Sequence, residues 1–272
     1  MNAADFPIFS NLDVVYAPHW MSKITMPVCK RQELEFHSSN GDYHFYMMAP
    51  SKYGLPYGAY PRLLIVYLAT MAKITRRHKI SLGSSQASFL QSLGRSSTGG
   101  KNGSVRALKQ QSMSLFSTVM HYEEIHHQKW CWVHYPLSEE GVMLWDASSG
   151  RGAWQSEIIL SQRFFQDIIE RAFPVRRQTL IELSAKPTQL DIYFWLTSRA
   201  DSLCRRTNIS WEQLFRQFGN NIEKRYHFRY CFKRSFKAVL DVYPEVRFSF
   251  TSNGITLWPF PPDVPKTFRS CG

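Results

Sequence analysis

Within residues 225–237 the chain sets Arg225, Tyr226, Arg229, Tyr230, Lys233, Arg234 and Lys237 at spacings that share one side of a helix. A guanidinium pairs in two-bond fashion with phosphate or with the N7/O6 edge of a guanine, an ammonium adds a point charge, and a phenol both hydrogen-bonds and stacks. Such a surface suits nucleic acid. Phe228, Phe232, Phe236 and Val239 recur three or four apart on the other side, so the cations stand opposite a phenylalanine seam. A helix face that is merely solvated usually mixes both signs for i,i+4 pairing. Here Glu223 and Asp241 stay at the ends. Groove-reading helices contact bases with their first turns. Arg225, Tyr226 and Arg229 are therefore expected at base edges, and Lys233, Arg234 and Lys237 over phosphate.

The flanking sequence supplies the elements that would hold this helix. Ser210-Trp211-Glu212-Gln213 has capping-box spacing, and Trp211, Leu214, Phe215 and Phe218 follow at helical intervals. Gly219 is expected as a left-handed helix stop, with Asn220 and Asn221 in the turn. The next helix is expected over residues 222–240. Beyond Pro244, Val246, Phe248 and Phe250 alternate, Ser252-Asn253-Gly254 interrupts, and Ile255 and Leu257 resume. Asn-Gly between alternating runs predicts a hairpin with positive φ at both residues. Helix, turn, basic helix and hairpin in that order describe a winged helix-turn-helix, with Asn253 at the wing tip as a further DNA contact.

A similar order occurs earlier. A short helix carrying Phe89, Leu90 and Leu93 ends at Gly94, a Gly/Ser/Thr loop runs to Gly103, and Val105, Leu108, Ser112, Leu115, Phe116 and Val119 mark one face of a second helix. Its exposed side is expected to present Arg106, Lys109, Gln110, Gln111 and Ser114, of which Arg106, Lys109 and Gln110 are candidate DNA contacts. Trp130, Trp132 and Tyr135, then Glu139-Glu140-Gly141, then Val142 and Leu144 predict a second hairpin. The loop at 94–101 departs from a phosphate-binding loop, because Gly100 intervenes before Lys101 and Asn102 replaces Ser or Thr. Lys101 is expected on a DNA phosphate instead. Further expectations are a hairpin around Asn40-Gly41, a helix buried nearly all round from Leu63 to Ala72, and a helix within residues 156–173 capped by Ser161.

The fold class expected is α+β, as two tandem winged-helix domains. Residues 1–30 are expected as an N-terminal arm, 31–174 as the first domain, 175–262 as the second, and 263–272 as a tail. Residues 175–184 would be the linker between them.

At 272 residues, 44% hydrophobic and 20% charged, with a net charge of +12, the chain is globular and suited to a polyanionic partner. No stretch reaches the apolar length of a membrane span, and MNAADFPIF lacks a basic start followed by an apolar run. A cytoplasmic protein without a membrane partner is expected. Five scattered cysteines form no C-x-x-C pair, and HYEEIHH (121–127) is not H-E-x-x-H, so no metal or other cofactor is expected.

GLPYGAYPRLLIVYLAT (54–70), ISLGSSQASFLQSLG (80–94), LDIYFWLTSR (190–199) and ISWEQLFRQFG (209–219) together resemble the plasmid-encoded RepA replication initiators of bacteria. The resemblance runs from about residue 34 to residue 262, and the chain departs from the family pattern at Met71-Ala72-Lys73 and in the polar loop 94–103. It implies a protein without catalytic residues that binds repeated sites in a plasmid origin as double-stranded DNA and helps to open the duplex. Recruitment of host replication proteins such as initiator and helicase is also implied, and self-association is a further expectation among its partners. Two other functions fit the same elements. One is a winged-helix transcriptional regulator or partition protein, since fold does not fix function. The other is a rolling-circle nicking enzyme, which would need a His-hydrophobic-His strand that the adjacent His126 and His127 do not provide.

Overall fold

The computed structural model describes residues 9–83, 85–100, 103–126, 129–143, 156–220, 222 and 224–265. β1 (Val14–Ala17) leads through a 3-10 turn (His19–Ser22) to a hairpin of β2 (Glu35–Asn40) and β3 (Tyr43–Met48). α1 (Ala59–Thr75), β4 (Lys79–Ser81), α2 (Gln86–Ser92), α3 (Ser104–Ser117), β5 (Val119–His126), β6 (Lys129–His134) and β7 (Ser138–Val142) follow. β8 (Glu157–Leu160), α4 (Gln162–Arg171), β9 (Phe173–Arg176), α5 (Arg177–Leu183) and α6 (Pro187–Ala200) carry the chain to β10 (Thr207–Ser210), α7 (Trp211–Phe218), α8 (Arg225–Leu240), β11 (Phe248–Phe250) and β12 (Gly254–Leu257). The fold class is α+β. No helix among the described residues is long and apolar enough to cross a membrane.

α1 and α6 form the axis of the core, because their sequences are apolar on every side. Every residue from Pro61 to Ala72 is buried, as is every residue from Leu190 to Thr197. Burying a helix all round leaves nowhere for a lone charge, and the two charges present answer one another. Arg62 of α1 donates from Nε and Nη2 to the Asp191 carboxylate of α6 at 2.7 Å each. Its remaining N–H groups reach the carbonyls of Gly58, Pro27 and Met26.

Around this axis two antiparallel sheets repeat one topology. β4, β8 and β7 lie in the order β4-β8-β7, and β10, β12 and β11 lie in the order β10-β12-β11, so in each the last strand sits in the middle. Each set starts with a strand, passes through two helices (α2 and α3, or α7 and α8), and returns with a strand pair. Between α3 and β7 the first unit carries extra strands: β5 and β6 join the hairpin to form a four-stranded sheet in the order β2-β3-β5-β6. Phe36, Phe45, Met47 and Met120 turn one face of that sheet into the core.

Several expectations are corrected. The N-terminal arm is instead structural over residues 14–26: β1 pairs with β9 antiparallel, and Val15, Ala17, Trp20, Met21, Ile24 and Met26 are buried. The segment expected as a linker is β9 and α5, with Val175, Leu180 and Leu183 buried. The first part of 156–173 is strand β8, although Ser161 does cap the helix that follows by accepting from the Phe164 amide. The hairpin expected across Glu139-Glu140-Gly141 does not form: β6 pairs with β5, whereas Glu139, Glu140 and Gly141 lie inside β7, paired with β8. β7 is an edge strand with a register shift between Ser138 and Glu140, a setting in which charged side chains reach solvent without a turn. Met71 and Ala72 lie within α1, which runs on to Thr75.

Candidate nucleic-acid interface

α8 begins at Arg225, three residues later than its apolar spacing suggests, and is anchored by Phe228, Phe232, Phe236 and Val239, all buried against α6, α7 and the hairpin of β11 and β12. With that seam fixed, Arg225, Tyr226, Arg229, Tyr230, Lys233, Arg234 and Lys237 all fall on the exposed side. Tyr226 and Tyr230 are 72% and 63% exposed, more than the intermediate burial typical of tyrosine.

Arg229, Lys233 and Arg234 are held over aromatic rings. Arg229 and Lys233 lie 5.6 and 5.5 Å from the centre of the Trp211 ring, and Lys233 is also 5.2 Å from that of Phe250. Arg234 sits 5.8 Å from the Tyr230 ring. Such contacts limit the wandering of long side chains, lowering the ordering cost of binding a phosphate or a base. Arg225 is engaged differently: it is ion-paired with Glu212, which also receives Arg216 at 3.3 Å, and it packs 5.5 Å from Phe215. Glu212 is thus a carboxylate inside the cationic surface, holding Arg225 and Arg216.

The turn before α8 is positioned from both sides. Ser210 accepts from the Gln213 amide at 3.1 Å while the Gln213 side chain accepts from the Ser210 amide at 2.8 Å, so the capping box is complete. Gly219 ends α7 at φ −89°, not in the left-handed region. A glycine fits there because a Cβ would press on the Phe215 carbonyl and ring. Gln217 donates to the Ser22 carbonyl at 3.2 Å and accepts from Asn40, and Asn220 donates to Thr25 and Ser38 at 3.1 Å each. α7 and the turn after it are therefore bonded to the N-terminal segment and to β2. Asn221 lies outside the described residues.

The hairpin of β11 and β12 is confirmed, but its turn is not the expected one. Neither Asn253 nor Gly254 has positive φ. The loop is closed by the Thr251 and Gly254 amides, which donate to Gly254 O and Thr251 Oγ1. Gly254 belongs to β12, opposite Ser210 of β10, where a side chain would collide with the Ile209 carbonyl. Asn253 is exposed and shares a cleft with Trp211, Glu212, Arg225 and Arg229, so the tip of the hairpin and the start of α8 converge.

α3 presents much less. Arg106 and Gln110 are exposed, and Lys109 is half-buried. Gln110 donates to the Tyr53 carbonyl at 3.2 Å, as does Ser114 at 2.9 Å, and Gln111 accepts from the Tyr57 amide at 2.7 Å. Gln111 and Ser114, expected in solvent, are buried under the 53–57 connector, whose unpaired backbone groups they satisfy. Lys101 lies outside the described residues. Sequence reasoning did not find Trp211 as the shelf under Arg229 and Lys233, since a buried tryptophan at a helix start reads only as core. It also did not find Arg216 or Glu212, whose roles depend on where α7 lies beside α8.

A family model for plasmid encoded RepA protein matches residues 55–213. No curated protein sequence matches the chain. Among solved structures, a crystal structure of selenomethionine derivatives of domains 2 and 3 of RctB is similar with a TM-score of 0.61 at 11% identity, covering 91% of this chain and 99% of that one. A second structure of RctB domains 2–3 gives a TM-score of 0.54 at 10% identity, with 93% and 100% covered. At such identities the likeness is one of fold.

Proposed function

Because the chain belongs to the plasmid-encoded RepA family, we propose that it is a plasmid replication initiator that binds repeated double-stranded sites at its origin through two tandem winged-helix units. In this reading it promotes opening of the duplex there and brings in host replication proteins such as initiator and helicase. The observation that carries the DNA-binding part is the face of α8: six cations and phenols from Tyr226 to Lys237, exposed on a helix whose other side is a buried phenylalanine seam. A B-form major groove, about 12 Å wide, admits such a helix. The shared order of the sheets β4-β8-β7 and β10-β12-β11, each built around a helix pair, supports two units of one kind. The second unit reads sequence, through Arg225, Tyr226 and Arg229 with Asn253 alongside, and the first contributes backbone contacts through Arg106, Lys109 and Gln110.

Footprinting of the purified protein on the DNA flanking its gene tests this. Protection of a set of direct repeats, with distorted or permanganate-reactive positions in an adjacent A+T-rich stretch, is the expected pattern. Protection of a single operator overlapping a promoter, with no repeats and no distortion, would identify a regulator instead.

A further inference from the structure

The outer face of the four-stranded sheet is occupied by rings. His37, Tyr46, His121 and His134 stand directly opposite one another across all four strands, in one register row. Their ring centres are 4.5, 5.9 and 4.9 Å apart in turn. Beside this row, on edge strand β6, Trp130 and Trp132 lie stacked at 4.5 Å and are 55% and 53% exposed. Strand alternation explains the arrangement: the intervening residues Phe36, Phe45, Met47 and Met120 face the core, so their neighbours must face out. None of these rings is needed for the duplex contacts of α8.

We propose that this face is a stacking platform for the unpaired bases of a single strand, an inference that rests on the initiator reading because an opened duplex supplies such strands. Base–aromatic stacking tolerates any sequence, as every base has a flat π-face, and four-stranded sheets with solvent-facing rings are a recurrent form of it. The middle of the face favours bases over a protein partner. It contains Ser39 and Glu123, the latter bonded to His121 at 2.8 Å, and both residue types are depleted at the centres of protein interfaces. The aliphatic Met48, Val119 and Ile125 lie toward its ends. The face is also continuous with the duplex surface. His37 and Ser39 line a cleft shared with Lys30, with Arg31 and Arg216, which pair with Glu33 and Glu212 there, and with Gly219, Asn220 and Ile222 of the turn that leads into α8. A phosphate backbone leaving the rings at β2 thus meets Lys30, and Arg31 and Arg216 on exchange from their carboxylates, on its way to the helix.

The test is binding of a fluorescein-labelled oligothymidylate to the full chain, read by anisotropy and by quenching of tryptophan emission, beside binding of the duplex repeat. The parent protein is expected to bind the oligothymidylate with quenching. The pair Trp130→Ala and Trp132→Ala should weaken that binding about tenfold or more, with duplex affinity retained. Trp130→Phe with Trp132→Phe, which keeps the rings, should restore most of it. The platform is refuted if the alanine pair binds the oligothymidylate as the parent does, or if its defect lies in sedimentation-measured self-association while single-strand affinity is unchanged. Failure of the parent to bind the duplex repeat, with single-strand binding intact, would sink the initiator reading and not the platform.

Discussion

Arg62 and Asp191 meet as a two-bond ion pair between α1 and α6, with both side chains buried. Each sits on the central helix of its own unit, so the pair is a joint between the half of the chain that carries α3 and the half that carries α8. Burial raises the Asp191 carboxyl above its ordinary range, and the Arg62 guanidinium opposes that shift. Removing one partner strands the other. Asp191→Asn should destabilise the full chain by about 3–5 kcal/mol, measured by urea unfolding. Arg62→Met combined with Asp191→Leu should cost much less than the two single changes added together, and strict additivity would show that the pair does not act as a unit.

Gln217 couples α7 to the N-terminal segment without lying on the cationic face. Gln217→Ala removes its bonds to Asn40 and to the Ser22 carbonyl, at a cost on the order of 1–3 kcal/mol. Amide exchange through residues 211–220 should accelerate, and affinity for the origin repeat should fall although no DNA contact has been removed. Unchanged exchange in that segment would mean that α7 is held by its apolar face alone.

Two histidines give the fold a dependence on pH. His19 is held below the usual imidazole range by burial and then by Lys23 and Arg171, and His37 by burial and then by His44. Each is therefore less protonated when folded than when unfolded, so between the folded pKa and about 6.5 the unfolded chain binds more protons and stability rises with pH. The urea midpoint should be lower near pH 5.5 than near pH 7.5, a window above the carboxylates, and His19→Gln should flatten the difference. A midpoint that held or rose on acidification would contradict this.

The second unit was largely legible because its signals are local. The capping box of Ser210 and Gln213, the seam of Phe228, Phe232 and Phe236, and the alternation into Ile255 and Leu257 each specify an element within a few residues. The first unit was less so, since its strands choose partners far away in sequence. Trp130 and Trp132 alternate as a strand should, but nothing local tells that β6 pairs backward with β5 and that β7 pairs forward with β8. Likewise Val14 and Val15 look like part of an arm until Val175 and Arg176 are placed opposite them. Within the interface, residue types on α8 could be read from spacing, whereas the engagement of Arg225 by Glu212 and of Gln110 by Tyr53 comes from packing between elements.

The central claim is that α8 reads DNA, and paired substitutions on its face test it most directly. Arg229 lies above Trp211 near the start of the helix, beside the cleft shared with Asn253, and Lys237 stands exposed in its last turn. A two-bond arginine–guanine contact is worth about 1–3 kcal/mol of discrimination. Arg229→Ala should accordingly lose affinity for the origin repeat while leaving binding to random duplex nearly as it was. Lys237→Ala should weaken both alike and reduce the slope of log affinity against log salt by about one. Measured by anisotropy at moderate salt on correctly folded protein, that pair of results is what the account predicts; parent-like affinity for the repeat in both variants would contradict it.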